Sequence, residues 1–243
     1  MRKITCLAVM LVLATSGFAF AQSPASNKAF FAAQGCDAQD VNAPNGCIVL
    51  ASLNGATTSE VPLFTIPAAL KTSNGGAVSA ILSMESVLWT FNTVTATNGG
   101  GKSSSSARAT IQAWVEIDGI RMEPGLVVYA DRLQATGLTV DLACAVTVPS
   151  ITGATCVVTG DVILDLFQAT KTANSFVFFL GPLGAKIHSV TVKAKGVIDC
   201  RDSAGTVITC PTTTLAGFAN ASTMAAIGKA TLLIEEQQNW GSQ

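Results

Sequence analysis

The stretch Ala107-Arg108-Ala109-Thr110-Ile111-Gln112-Ala113-Trp114-Val115-Glu116-Ile117 decides the fold class. Its odd positions are all apolar, whereas Arg108, Thr110, Gln112 and Glu116 hold the other parity. Side chains alternate between the faces of a strand, so a period of two marks a strand with one face in a core. Trp114 interrupts the polar face, and packing against a neighbouring loop is its expected surrounding. Asp118-Gly119 follows directly, a pair whose tolerance of positive φ suits a tight hairpin turn. After Pro124-Gly125, residues 126–130 supply the returning strand.

Working outward, similar segments lie at 47–53, 61–66, 78–82, 87–95, 137–148, 156–167, 175–180, 187–198, 206–209 and 227–235. They are short, rich in Val, Ile, Thr and Phe, and bounded by Gly, Pro, Asn and Ser. About ten strands so spaced predict an all-β antiparallel β-sandwich with disulfide-closed loops. Helical patterns are confined to 27–34, 67–71 and 215–224, too short for an alternating α/β arrangement. The run 98–106 contains no apolar side chain and reads as a flexible hairpin tip. It lacks the spacing of a phosphate-binding loop, so nucleotide binding is not expected.

At the N-terminus, Arg2 and Lys3 precede an apolar stretch that ends in Ala19-Phe20-Ala21. Residues 1–21 therefore read as a cleaved signal peptide. The apolar part is shorter than the roughly 20 residues that cross a bilayer, so no integral membrane span is expected after cleavage. The expected location is secreted or periplasmic, with residues 22–243 forming one sandwich domain that carries an N-terminal extension at about 22–46. Cleavage removes Cys6 and leaves Cys36, Cys47, Cys144, Cys156, Cys200 and Cys210 in an oxidising space. These fall into couples 11, 12 and 10 positions apart, each enclosing turn-forming residues. The spacing favours nearest-neighbour disulfides over metal ligation, which would call for CxxC pairs or several histidines.

Two short patterns carry a resemblance. The stretch Gly184-Ala185-Lys186-Ile187-His188-Ser189-Val190-Thr191-Val192-Lys193-Ala194 resembles a late strand of bacterial secreted immunoglobulin-like sandwiches. The stretch Trp114-Val115-Glu116-Ile117-Asp118-Gly119, with Pro124-Gly125, is similar to hairpins of those modules and of C1q-type and tumour-necrosis-factor-type jelly rolls. The resemblance implies a sandwich that binds, adheres or assembles. The cysteine couples do not follow the immunoglobulin inter-sheet pattern with its intervening Trp.

Composition narrows the function further. Charged residues are 12% of the chain, with 14 Lys and Arg against 15 Asp and Glu, so no basic footprint exists for nucleic acid. The single histidine, His188, shares its parity with Val190, Val192 and Ala194 and reads as a satisfied structural residue at a strand entrance. No G-x-S-x-G elbow nominates a nucleophile. The closest acidic groupings are Glu116 with Asp118, Asp161 with Asp165, and Glu235 with Glu236, and a solvated sheet face is the expected role of Asp161 and Asp165. The loop carrying Asp37, Asp40, Asn42 and Asn45 lacks the order of a calcium loop and reads as a disulfide-closed polar loop. No catalytic, metal or cofactor-binding residue is therefore assigned. The expected function is non-catalytic binding, adhesion or assembly in the cell envelope or outside the cell, with a protein, a glycan or another copy as partner. Either the segment 22–35 or the strand 230–234 could complete a neighbour's sheet. The alternative is a secreted carbohydrate-active hydrolase built on dispersed carboxylates.

Overall fold

The computed structural model describes residues 28–33, 47–51, 60–73, 75–96, 101–140, 162–215 and 218–237. Among them there is no helix. The strands in chain order are β1 (Lys28–Ala33), β2 (Ile48–Ala51), β3 (Val61–Lys71), β4 (Gly76–Ala96), β5 (Gly101–Ile117), β6 (Ile120–Arg121) and β7 (Val127–Val140), followed by β8 (Val162–Leu183), β9 (Ile187–Arg201), β10 (Val207–Ile208), β11 (Thr212–Leu215), β12 (Phe218–Ser222) and β13 (Met224–Gln237). One antiparallel sheet runs β1-β13-β4-β8, and β2 follows β1 along the same edge of β13. The second runs β3-β9-β5-β7, with β10 added beside β9 and β6 beside β5. A ribbon of β11 and β12 stands apart from both ladders.

The alternation in β5 places Ile111, Ala113, Val115 and Ile117 in the core, opposite Val192 and Val190 of β9 in register. The other sheet answers with Val78, Ala80, Leu82 and Met84 of β4 and with Leu232 and Ile234 of β13. All of these belong to one buried cluster, which makes the molecule a β-sandwich. Beyond Met84 the filling changes character. Thr90 and Asn92 of β4 meet Gln134 and Thr136 of β7, all buried. Asn92 Nδ2 donates to the Gln134 carbonyl at 2.8 Å, and the Thr90 hydroxyl donates to Gln134 Oε1. These four buried polar side chains thus partner one another, as a low-dielectric interior requires.

The described residues of the three segments with helical patterns form no helix. Residues 28–33 pair with β13 from Lys28↔Glu235 to Ala33↔Ala230, so edge addition overrides the helical preference of alanine. Residues 67–71 continue β3, where the ladder shifts register between Ile66 and Leu70. That irregularity lies on a strand with one ladder partner, a setting in which Pro67 is tolerated despite lacking an N–H. The segment 215–224 is divided among β11, β12 and β13. The Gly/Ser run is also corrected, because Gly101–Ser106 is strand, paired from Gly101↔Val140 to Ser106↔Ala135. Ladder hydrogen bonds compensate there for side chains that bury little. Segments read as separate at 78–82 and 87–95 are one strand, β4, and β8 joins the described part of 156–167, from Val162 on, to 175–180.

Cys200 and Cys210 are bonded, with Cα atoms 5.2 Å apart, and close the β9–β10 turn. Cys47 is also disulfide-bonded. Cys36, Cys144 and Cys156, the signal segment 1–21 and the loop with Asp37, Asp40, Asn42 and Asn45 lie outside the described residues.

Candidate functional site

The histidine and the hairpin turn meet. Ile117 and Ile120 face each other across Asp118-Gly119, whose φ values of 51° and 80° give the doubly left-handed turn that matches strand twist. Asp118 Oδ2 accepts from His188 Nδ1 at 2.8 Å and pairs with Lys186 Nζ at 2.8 Å. Its Oδ1 accepts from the Ser189 backbone N–H at 2.9 Å and from the Ser189 hydroxyl at 3.2 Å. The Lys186 ammonium, with the Ser189 and His188 donors, holds the Asp118 carboxyl well below the usual range against a smaller opposing effect of burial. On the other side of the ring, His188 Nε2 lies 2.8 Å from Thr72 Oγ1 and 3.1 Å from the Gly184 carbonyl.

Carboxylate, imidazole and hydroxyl thus stand in the order of a hydrolase triad. The surroundings oppose that role. Thr72 Oγ1 donates to the Gly184 carbonyl at 2.8 Å, and Thr72 and His188 are 3% and 1% exposed, which leaves no approach for a substrate. The cluster instead pins the end of β3, the β5–β6 turn and the entrance of β9 to one another. Sequence reading placed His188 at that entrance but missed Thr72, which is 116 positions away and carries no local signal.

The acidic groupings of the sequence are taken apart. Glu116 accepts from the Trp114 indole at 2.7 Å and pairs with Lys193 at 3.0 Å, while Asp118 serves the histidine cluster. Burial pushes the Glu116 carboxyl up, but the Trp114 and Lys193 donors outweigh it and leave the group below its ordinary value. Arg121 stacks 4.6 Å above the Trp114 ring, covering the aromatic that interrupts the polar face of β5. Glu236 turns inward onto the Ser73 backbone N–H at 2.6 Å, and Glu235 occupies the opposite parity. Asp165 accepts from the Thr93 hydroxyl at 3.0 Å, and Asp161 lies outside the described residues. Among the described residues no group of three His, Cys, Asp or Glu side chains is placed to hold a metal ion.

The outer face of the second sheet carries a shallow depression of about 230 Å³ lined by Arg108, Thr110, Gln112, Val128, Val197 and Asp199. Its charges are matched internally. Arg108 meets Asp131 with two hydrogen bonds at 2.8 and 2.5 Å, and Arg201 meets Asp199 at 2.9 Å. The Arg108 guanidinium is the main reason that the Asp131 carboxyl is held low.

The most open element is β8. It is laddered to β4 without interruption from Val78↔Leu180 to Ala96↔Val162. On its other side, among the described residues, no strand is paired, and a single bridge joins Phe179 to Glu123. Side chains reach it from β7: Gln134 Nε2 donates to the Leu166 carbonyl at 3.2 Å, Arg132 donates to Gln168, and Asn174 Nδ2 on β8 donates to the Tyr129 carbonyl at 2.5 Å. Of the described side chains from 163 to 183, only Phe178 is buried. Ile163, Leu164, Leu166, Val177 and Phe179 are exposed, and Ile81 of β4 extends the apolar surface beside Val177. Among the described residues no helix is long and apolar enough to cross a membrane. No protein-family model matches this chain, and no curated protein matches it in sequence.

Proposed function

We propose that this chain is an exported, non-catalytic β-sandwich of the immunoglobulin-like or jelly-roll kind that works by binding, adhesion or assembly outside the cytoplasm. The observation carrying the proposal is β8, a long outer strand that exposes apolar side chains on both of its faces. Proteins ordinarily blunt such edges with charge, proline, bulges or a covering segment. Here Asp165 and Lys171 are the only charges on the strand and its one proline is Pro182, close to its end. The internal pairing of Glu116, Asp118, Asp131 and Asp199 with cations supports a structural use of these carboxylates over hydrolysis. Cys200–Cys210 supports an oxidising compartment.

The test is the solution mass of the mature, oxidised protein by size-exclusion chromatography with light scattering over a concentration series. Defined or growing oligomers are expected. A monomer at every concentration that also retains no glycan or envelope protein would overturn the reading.

A further inference from the structure

We propose that β8 pairs edge to edge with β8 of a second copy, antiparallel, about a two-fold axis through Gln168; this rests on the assembly reading above and specifies its contact. The backbone direction is set by the Glu123 bridge. Phe179 both donates to and accepts from Glu123, so its N–H and C=O point away from β4. Strand alternation carries that direction to the other odd positions, because the β4–β8 register is continuous from Val78↔Leu180 onward. Ile163, Asp165, Ala169, Lys171 and Ala173 therefore turn their main-chain groups towards the outer edge. Their side chains lie on the outer face of the sheet, opposite in parity to buried Phe178.

The sequence of this edge is self-complementary about Gln168. In an antiparallel pair centred there, Asp165 of each copy faces Lys171 of the other, which places two opposite-charge pairs symmetrically on one face. The remaining pairs join large to small: Ile163 meets Ala173, Leu164 meets Thr172, Leu166 meets Thr170 and Phe167 meets Ala169. Centring on either neighbouring residue sets Asp165 opposite a neutral side chain. Lys171 already contacts Glu85 of β4 at 2.9 Å, so Asp165 from a second copy would extend an existing pair into a short alternating network. The contacts from Arg132 and Gln134 come from the facing sheet, and the Glu123 bridge at Phe179 lies six residues beyond the end of the 163–173 ladder. The outcome is an isologous interface that merges the β8-bearing sheets of two molecules into one.

Cysteine placement tests this register in the otherwise oxidised full-length mature protein. Gln168 would face itself with Cα atoms about 4.5 Å apart, within the reach of a disulfide. Q168C is expected to form a covalent dimer under mild oxidation. T172C is not, because its two copies would stand about eight residues apart, roughly 27 Å. D165K opposes two lysine pairs and is expected to weaken dimerisation about tenfold while circular dichroism remains that of the parent. A parent protein that stays monomeric overturns both this contact and assembly. A parent that oligomerises, with Q168C uncrosslinked or T172C crosslinked as readily, or with D165K unaffected, overturns the β8 contact and leaves assembly standing.

Discussion

His188 Nδ1 lies 2.8 Å from Asp118 Oδ2, so the turn closing one hairpin is fastened to the entrance of β9, 70 positions along the chain. Asp118 suits both tasks: its short polar side chain tolerates φ of 51°, and its two oxygens accept from His188, Lys186 and Ser189. Replacing Asp118 with Ala strands the donor of buried His188 and strains the turn. The expected loss is about 2–3 kcal/mol, and Asp118→Asn should lose less because it keeps the turn and one acceptor. Urea unfolding of the two variants checks the order.

The same contact sets an acid response. The folded-state carboxyl of Asp118 is held below its unfolded value, so its contribution is complete above the ordinary carboxylate range, near pH 3.9, and is lost as pH falls through the lower folded value. Thermal melts of the parent from pH 6 to pH 2 should decline more steeply than those of Asp118→Asn. Parallel curves would remove Asp118 as a source of acid lability.

Tyr129 is the only tyrosine of the chain, which makes its ionisation directly readable. Its hydroxyl donates to the Leu82 carbonyl at 2.8 Å, its ring meets Phe176 edge-on at 4.8 Å, and burial pushes its phenol well above the ordinary value. Tyrosinate absorbance should stay absent until alkaline unfolding. Because the unfolded chain ionises first, stability should fall as pH rises above about 10. Tyr129→Phe should cost about 1 kcal/mol at neutral pH.

Gly196 of β9 lies where β2 crosses from the opposite sheet. A Cβ at this position would stand 2.9 Å from the Cβ atoms of Leu50 and Ala51. Neither neighbour is a flexible chain end, so Gly196→Ala should destabilise the protein by about 1–3 kcal/mol through overpacking. Gly137→Ala, which meets nothing within 4 Å, is the matched control by differential scanning calorimetry.

The Cys200–Cys210 bridge spans 10 positions and packs against Ala107. Replacing both cysteines by Ser should lower stability by about 2–3 kcal/mol on the chain-entropy account. Equilibrium denaturation under non-reducing conditions measures that loss.

What the sequence determined by itself is local and periodic. The alternation from Ala107 to Ile117 specified a strand with one apolar face in the core, Asp118-Gly119 its turn, and the Val/Ile/Thr segments an antiparallel sandwich, because side-chain direction repeats every two residues whatever the partner; the burial of Thr110, Trp114 and Glu116 on the other face was not legible there. Tertiary structure decided the rest. Residues 28–33 and 67–71 have local helical character, yet unsatisfied edges of β13 and β9 recruit them as strands, and backbone pairing outweighs weak propensity. The Thr72–His188 contact and the sorting of Glu116 and Asp118 into separate networks depend on which strands become neighbours. The exposure of β8 depends on the same thing: its apolar residues resemble those of a buried strand, and only its place at the end of the β13-β4-β8 order leaves them in solvent.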